Sequence, residues 1–150
     1  MIELVIFLVL LALGYGVGQF LERRHYRSII EREARLNALP AIASRYPPTE
    51  PRYEQALVIG STVVSVDYFK RFLAALRNLF GGRVISYESL LDRARRESLL
   101  RMKEQAEELG ASMVFNIKYE TASISKGRGN TIGSIEVLAY GTALIETPPA

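Results

Sequence analysis

The stretch YESLLDRARRESLLRMKEQAEELGASMVFNIKYETAS, residues 87–123, decides the fold because its hydrophobic period changes half-way. From Tyr87 to Leu109 the apolar residues recur at helical spacing, which predicts one long helix. Ser86 is a suitable N-cap before this helix, and Gly110 is well placed as the C-cap glycine after it. The expected core stripe consists of Tyr87, Leu91, Ala94, Met102, Ala106 and Leu109, broadened by Leu90, Leu99 and Leu100. A stripe this wide indicates a second packing partner, such as another subunit.

After Gly110 the apolar residues alternate, which predicts a half-buried strand followed by a second strand. SKGRGNT, residues 125–131, contains two turn glycines and is expected to be a loop. TIGSIEVLAYGTALIE, residues 131–146, is the final strand, so the two strands form an antiparallel hairpin. One face of the first strand is expected to carry Met113, Phe115, Ile117 and Tyr119, and the other Asn116, Lys118 and Glu120.

Two further elements precede the long helix. Residues 56–65, ALVIGSTVVS, are rich in β-branched side chains and predict a strand, in which Gly60 indicates a bulge or a close backbone approach. Residues 66–80, VDYFKRFLAALRNLF, place their apolar residues on one helical face. The order strand, helix, helix, strand, strand predicts an α+β domain with an antiparallel sheet packed on helices.

The N-terminal run Leu4–Leu21 has 18 residues and no charge. A helix of that length spans about 27 Å, close to the hydrocarbon thickness of a bilayer. A signal peptide is disfavoured because no basic residue precedes the run and no small-residue cleavage site ends it. We therefore expect residues 1–21 to be a single-pass transmembrane anchor. Arg23, Arg24 and Arg27 follow it, so the positive-inside rule places the N-terminus outside and the rest in the cytoplasm.

Residues 22–52 are expected to be a charged juxtamembrane helix, ending near Pro40, and a proline-rich linker. Residues 53–150 then form the globular domain.

Within the anchor, Gly14 and Gly18 form a GxxxG pair. The pair indicates either association of the anchor helices or the general frequency of glycine in membrane helices.

The composition excludes several classes of site. The chain has no cysteine, which rules out disulfides and thiolate metal sites. Its single histidine, His25, lies among arginines beside the anchor and has no convergent ligands nearby. From Tyr46 onward 13 basic and 12 acidic residues nearly balance, which argues against a broad nucleic-acid-binding face. No nucleophile and base stand in a recognisable pattern, so an enzyme is not expected, and neither is a cofactor.

The region Ala56–Ile145 resembles the YbjQ-like family of small bacterial domains. The residues that carry the resemblance are Gly60, Gly81-Gly82-Arg83, Tyr87-Glu88, Ala94-Arg95 and Leu109-Gly110-Ala111. The resemblance implies a dodecin-like β-α-α-β-β fold and assembly into rings, typically pentamers. The family has no firmly assigned activity and carries a heavy-metal-binding label. Soft metals require thiolate, thioether or imidazole ligands, and this domain offers only Met102 and Met113, both on expected core stripes.

Gly81, Gly82 and Arg83, with Tyr87 and Glu88, form the candidate ligand-binding site. A helix N-terminus follows the glycines and attracts anions, and Arg83 is suited to hold a phosphate or carboxylate. The simpler alternative is a tight turn between two helices. Two functions follow. The chain is either a membrane-anchored, ring-forming binding or scaffold module, or a small-molecule or metal-binding protein with a pocket between subunits.

Overall fold

The computed structural model describes residues 2–48, 53–65, 85–127 and 131–147. They divide into two compact units, one ending at Arg35 and the other beginning at Leu36. The helix predicted over residues 66–80 and the turn Gly81-Gly82-Arg83 lie outside the described residues. The fold class is confirmed as α+β, with a three-stranded antiparallel sheet packed against helix and an additional N-terminal helix.

The first unit is a single helix, α1 (Ile2–Arg35), of 34 residues. The apolar run and the charged segment after it are therefore continuous, and a short 3-10 turn (Leu36–Ala38) follows immediately before Pro40. By length and composition α1 can cross a membrane, because its most apolar window has a mean hydropathy of 2.3 and none of that window is buried. The same test is passed by some signal sequences and by some core helices of soluble proteins.

The second unit is built on three long strands, β1 (Tyr53–Ser65), β2 (Met113–Gly127) and β3 (Thr131–Glu146). Their order in the sheet is β1-β3-β2, and both pairings are antiparallel. The predicted hairpin between the last two strands is confirmed. β3 lies in the centre, so β1 and β2 form the two opposite edges of the sheet. A strand from another chain could extend the sheet only at one of these edges.

Helix α2 (Ile85–Glu108) covers one face of the sheet, mainly over β1 and β3. The main core consists of small and medium side chains from all three strands, the helix and the preceding segment: Leu39, Val58, Met102, Ala106, Val114, Ala139 and Ala143. A smaller cluster joins Ala94 of the helix to Ile135 and Val137 of β3. Of the two methionines expected in the core, Met102 is fully buried in the main cluster, and Met113 is half-buried.

The ends of α2 differ in how well the sequence predicted them. The C-cap is confirmed: Gly110 has a φ of +70°, and its N–H donates to the Glu107 carbonyl at 2.9 Å. The Ala111 N–H donates to the Ala106 carbonyl at 3.0 Å, which completes a Schellman motif. The expected N-cap is wrong, because the helix already includes Ile85 and places Ser86 inside it. Leu109 was expected in the core but is 44% exposed, since it lies beyond the last helical residue.

The alternation expected along β2 is also wrong, because a β-bulge interrupts it. Phe115 pairs with Thr142 and Lys118 with Tyr140, so Asn116 and Ile117 together oppose Gly141. Val114 and Phe115 are adjacent in sequence, and both are buried. A Cβ at Gly141 would lie 2.8 Å from Val114 Cγ1 and 3.1 Å from the Phe115 carbonyl oxygen, so glycine is required where the bulge approaches β3.

Asn116 sits in the bulge with a φ of 54°, a left-handed conformation that asparagine tolerates and β-branched residues do not. We expect Asn116→Val to reduce the free energy of unfolding by about 1–2 kcal/mol. Asn116→Gly, which accepts the same φ, should change it by less than about 0.5 kcal/mol. Pulse proteolysis in urea on the full-length protein measures both; equal losses for the two variants would contradict this explanation.

The segment before β1 contributes to the globular unit as well. The Ile42 N–H donates to the Val114 carbonyl at 2.9 Å, and the Asn116 N–H donates to the Ser44 carbonyl at 2.9 Å. Leu39 and Ala41 pack on the core. This segment was expected to belong to the stalk and linker, residues 22–52, whereas its residues 36–44 pack with the sheet. The division at residue 53 stays a prediction.

Candidate functional site

The residues predicted to bind a ligand are only partly described. Gly81, Gly82 and Arg83 lie outside the described residues, and Tyr87 and Glu88 occupy the first turn of α2. Their side chains are not described, so the grouping of these five residues stays a prediction. The described residues instead show two other features, a polar contact between α2 and β1 and an exposed pair of sheet surfaces.

The polar contact lies where α2 touches the free edge of β1. Arg101 Nε donates to Glu97 Oε1 at 2.9 Å, and Arg101 Nη1 donates to the Ser61 carbonyl at 2.7 Å. One turn further, Gln105 Oε1 accepts from the Ile59 N–H at 2.7 Å. The Ile59 N–H and the Ser61 carbonyl of the edge strand are thus hydrogen-bonded to side chains of α2. Because these groups are occupied, pairing of this edge with another strand is limited.

At Gly60 the backbone of α2 packs directly against the backbone of β1. Ser98 is fully buried, and its hydroxyl contacts the Ala94 carbonyl at 2.8 Å and the Val137 carbonyl at 2.7 Å. The absence of a side chain at Gly60 permits this approach, since a Cβ there would lie 2.5 Å from the Met102 nitrogen. A hydroxyl directed at two carbonyls and closed to solvent cannot serve as a nucleophile. This contact is therefore structural.

The sequence contains a signal for Glu97 and Ser98, neither of which belongs to the predicted core stripe. The predicted stripe runs from Ala94 to Met102 and skips one helical turn, and these two residues occupy it. A polar pair in the middle of a buried stripe indicates hydrogen bonding to a partner element. The sheet partners could not be identified from the sequence, because they are backbone carbonyls, that of Val137 for Ser98 and that of Ser61 for Arg101, which holds Glu97.

One buried hydroxyl at this interface has no partner among the described residues, namely that of Thr62. Burial of an unpaired hydroxyl costs roughly 1–3 kcal/mol, whereas a methyl group of the same shape has no such cost. We expect Thr62→Val to raise the free energy of unfolding by about 1 kcal/mol. Pulse proteolysis in urea measures this change, with Thr62→Ala as the control that removes the hydroxyl but leaves a cavity. A loss of stability in the valine variant would show that the hydroxyl is bonded.

The first exposed surface is the outer face of the sheet, defined here as Leu57, Ile59 and Val63 of β1. These side chains alternate with buried Val58, Gly60 and Thr62, and so they point away from α2. Leu57 is 64% exposed and Val63 is 56% exposed. Adjacent exposed apolar side chains of this kind mark a contact surface for another chain or for lipid.

The second exposed surface is the exposed strand, defined as Lys118–Ile124 of β2. Every residue in it is exposed, although the side chain of Tyr119 is partly covered. Its outer edge is also open in the described part of the chain, because residues 40–44 pair only with Val114–Ile117. Burial raises the pKa of the Tyr119 hydroxyl above its ordinary value, and the charge of Arg95 opposes that rise. An open edge strand is the usual template for pairing with a further strand.

The donor atoms of the domain do not fit a heavy metal. The chain contains no cysteine, and its one histidine lies on α1. Within the described residues no three carboxylate or histidine side chains converge. The buried carboxylate of Glu97 is engaged by Arg101, and the Met102 thioether lies in the apolar core. The described part of the domain therefore offers no set of donor atoms suited to a heavy metal.

Comparison with known proteins identifies the family. A family model described as "Putative heavy-metal-binding", YbjQ, matches residues 49–146. The chain belongs to the YbjQ family. A UPF0145 protein of Hahella chejuensis is 42% identical over 89 residues, which are 59% of this chain and 80% of that protein. A UPF0145 protein of Acinetobacter baylyi is 36% identical over 104 residues, which are 69% of this chain and 91% of that protein.

The YbjQ match extends from just before β1 to the end of β3 and so leaves α1 outside it. A crystal structure of a protein with unknown function from Pediococcus pentosaceus covers 73% of this chain with a TM-score of 0.43 and 13% identity. That likeness is too low to support an argument about the fold. The family resemblance expected from the sequence is confirmed.

Proposed function

We propose that this YbjQ protein is a membrane-anchored, ring-forming binding or scaffold module. In this proposal residues 1–21 form a single-pass anchor in the cytoplasmic membrane of a bacterium, with the N-terminus outside. Residues 22–52 supply the juxtamembrane helix and linker. Residues 53–150 form a dodecin-like domain in the cytoplasm, which assembles with its copies into a ring, with five copies as the family resemblance implies.

The observation that carries the proposal is the position of the two exposed surfaces. The outer face belongs to β1 and the exposed strand to β2, and these are the two edge strands of the sheet. A closed ring is built from heterologous contacts, in which each copy offers two different surfaces to its two neighbours. Surfaces on opposite edges of one sheet meet that requirement, whereas a two-fold dimer would need only one of them.

The anchor is supported by α1. Within the run Leu4–Leu21 the described apolar side chains are exposed, including Leu4 at 61%, Leu10 at 63% and Phe20 at 66%. An exposed apolar helix of this length is unfavourable in water and favourable in a bilayer. Several such helices attached to one ring would increase the avidity of every weak contact that the ring makes at the membrane surface.

The alternative function is binding of a small molecule in a pocket between subunits, lined by Arg83, Tyr87 and Glu88. It depends on residues that a neighbouring copy would complete, so it is compatible with the ring. A retained anion in the purified oligomer would favour it over a simple scaffold. The metal-binding version of this alternative is disfavoured by the missing thiolate and imidazole donors.

The orientation predicts a protease result. In inside-out vesicles, where the cytoplasmic side faces the medium, protease should digest most of the domain in the full-length protein. In right-side-out vesicles the domain should stay intact until detergent is added, which serves as the control for accessibility. Digestion of the domain in sealed right-side-out vesicles would contradict the orientation, and release of the whole chain by carbonate would contradict the anchor.

A further inference from the structure

One face of α1 changes from apolar to cationic within four turns. Gly16, Phe20, Arg23 and Arg27 are spaced by four, three and four residues, so they share an arc of about 60° on the helix surface. Gly16 lies inside the apolar run, and Arg23 lies about 10 Å further along the axis. An acyl region and a headgroup region are separated by a distance of this order in a membrane leaflet.

The same face carries two connected grooves. A groove of about 290 Å³ is lined by Tyr15, Gly16, Gln19, Phe20 and Arg23. A second of about 500 Å³ is lined by Phe20, Arg23, Arg24 and Arg27. Phe20 and Arg23 belong to both. A Cβ at Gly16 would meet no atom within 4 Å, so the glycine leaves open space beside the phenylalanine ring.

The arginines at the cationic end of this face are accessible to an anionic ligand. Arg23, Arg24 and Arg27 are all exposed, and within the described residues no salt bridge joins any of them to a carboxylate. A guanidinium binds a phosphate through paired N–H donors, and each basic residue near an anionic leaflet contributes favourably to lipid binding. The ligand that matches an apolar groove ending in arginines is a phosphodiester with hydrocarbon chains.

We propose that this face of α1 is a binding site for an anionic phospholipid of the cytoplasmic leaflet. Arg23 and Arg27 hold the headgroup phosphate, Phe20 packs at the glycerol level, and one acyl chain lies in the groove at Gly16. The inference rests on the proposed membrane anchor. The lipid site gives the anchor a preference for anionic lipid, which would concentrate the ring in membrane regions rich in such lipid.

The site is independent of helix association. Gly14 and Gly18 lie about 160° from Gly16 around the helix, on the opposite side from the arginines. The GxxxG face can therefore contact a neighbouring helix while the lipid occupies its own face. This separation provides a matched pair of variants, Gly16→Leu in the lipid groove and Gly14→Leu outside it.

Native mass spectrometry of the full-length protein in nonionic detergent tests the proposal. The probes are phosphatidylglycerol and phosphatidylcholine with identical acyl chains. Wild type should retain phosphatidylglycerol in preference, and Arg23→Gln with Arg27→Gln should weaken that retention about 25-fold, from about fivefold per arginine. The control, Arg45→Gln with Arg95→Gln, removes two charges from the second unit and should leave retention unchanged. Gly16→Leu should lower retention and Gly14→Leu should not.

Equal retention of the two lipids by wild type would overturn the proposal, as would an unchanged preference in the Arg23 and Arg27 double variant. Displacement of the lipid by millimolar inorganic phosphate would also overturn it, because the site would then recognise free phosphate. Flotation with phosphatidylcholine vesicles distinguishes a failure of the lipid-site proposal from a failure of the membrane anchor. A chain that floats without lipid preference refutes the lipid site alone, and a chain that does not float refutes the anchor.

Discussion

Gly60→Ala is expected to remove a large share of the stability of the globular unit. A methyl group at this position would overlap the backbone oxygen of Ser98 and lie 2.5 Å from the Met102 nitrogen. Both atoms belong to the helix backbone, so no side chain can rotate away. The helix must move off β1, and the contacts that Ser98 and Arg101 make with the sheet would be lost with it.

The magnitude follows from the kind of atoms involved. Overpacking against side chains commonly costs about 1–3 kcal/mol, and here the obstacle is backbone, so we expect a loss of about 4 kcal/mol or more. For a domain with a total stability of about 5–15 kcal/mol this is a large share. Pulse proteolysis in urea on the full-length protein measures it. Glu54→Ala, at an exposed position of the same strand, should change stability by less than about 0.5 kcal/mol. A Gly60→Ala variant as stable as this control would contradict the described packing.

Ile59→Arg with Val63→Arg is expected to dissociate the ring while leaving each copy folded. Both side chains lie on the outer face and are exposed, Ile59 at 45% and Val63 at 56%, so the isolated fold loses little when they change. In an assembled ring the two arginines would be buried in an apolar contact without partners. Such burial at the centre of an interface should weaken assembly by about 100-fold or more.

Light scattering coupled to size exclusion in detergent measures the assembly state, and pulse proteolysis confirms that the variant is folded. Leu109→Arg is the control, since it introduces an arginine at an apolar side chain that is 44% exposed and belongs to neither proposed surface. A double variant that elutes with the mass of wild type would show that the outer face is not part of the interface. In that case the exposed strand would have to be tested alone.

The parts of the fold that the sequence predicted are those set by local chemistry. Gly110 adopts the left-handed conformation that the Schellman motif at the end of α2 requires. The hydrophobic period changes at this glycine, and this change separates the helix from the strand. The hairpin follows from two strand patterns joined by a short glycine-rich segment. These signals depend on neighbours along the chain, and so one sequence is sufficient to identify them.

The parts that were missed depend on distant neighbours. The bulge at Asn116 requires Gly141 across the sheet and the Ser44 carbonyl from a segment that the sequence indicated as linker. Ser98 bonds to the Val137 carbonyl of β3, and Glu97 engages Arg101, which reaches the Ser61 carbonyl of β1. No pattern within the helix identifies these partners on the sheet. The candidate site at Gly81, Gly82 and Arg83 stays a prediction for a different reason, because those residues lie outside the described part of the chain.

Native mass spectrometry of the full-length protein released from its membrane tests most directly whether the chain forms a closed ring at the membrane. We expect one dominant oligomer of defined stoichiometry, five copies by the family resemblance, with no heavy metal in its mass. Any retained small anion would identify the ligand of the pocket between subunits. A monomer at micromolar concentration, or a continuous series of oligomers without closure, would contradict the claim.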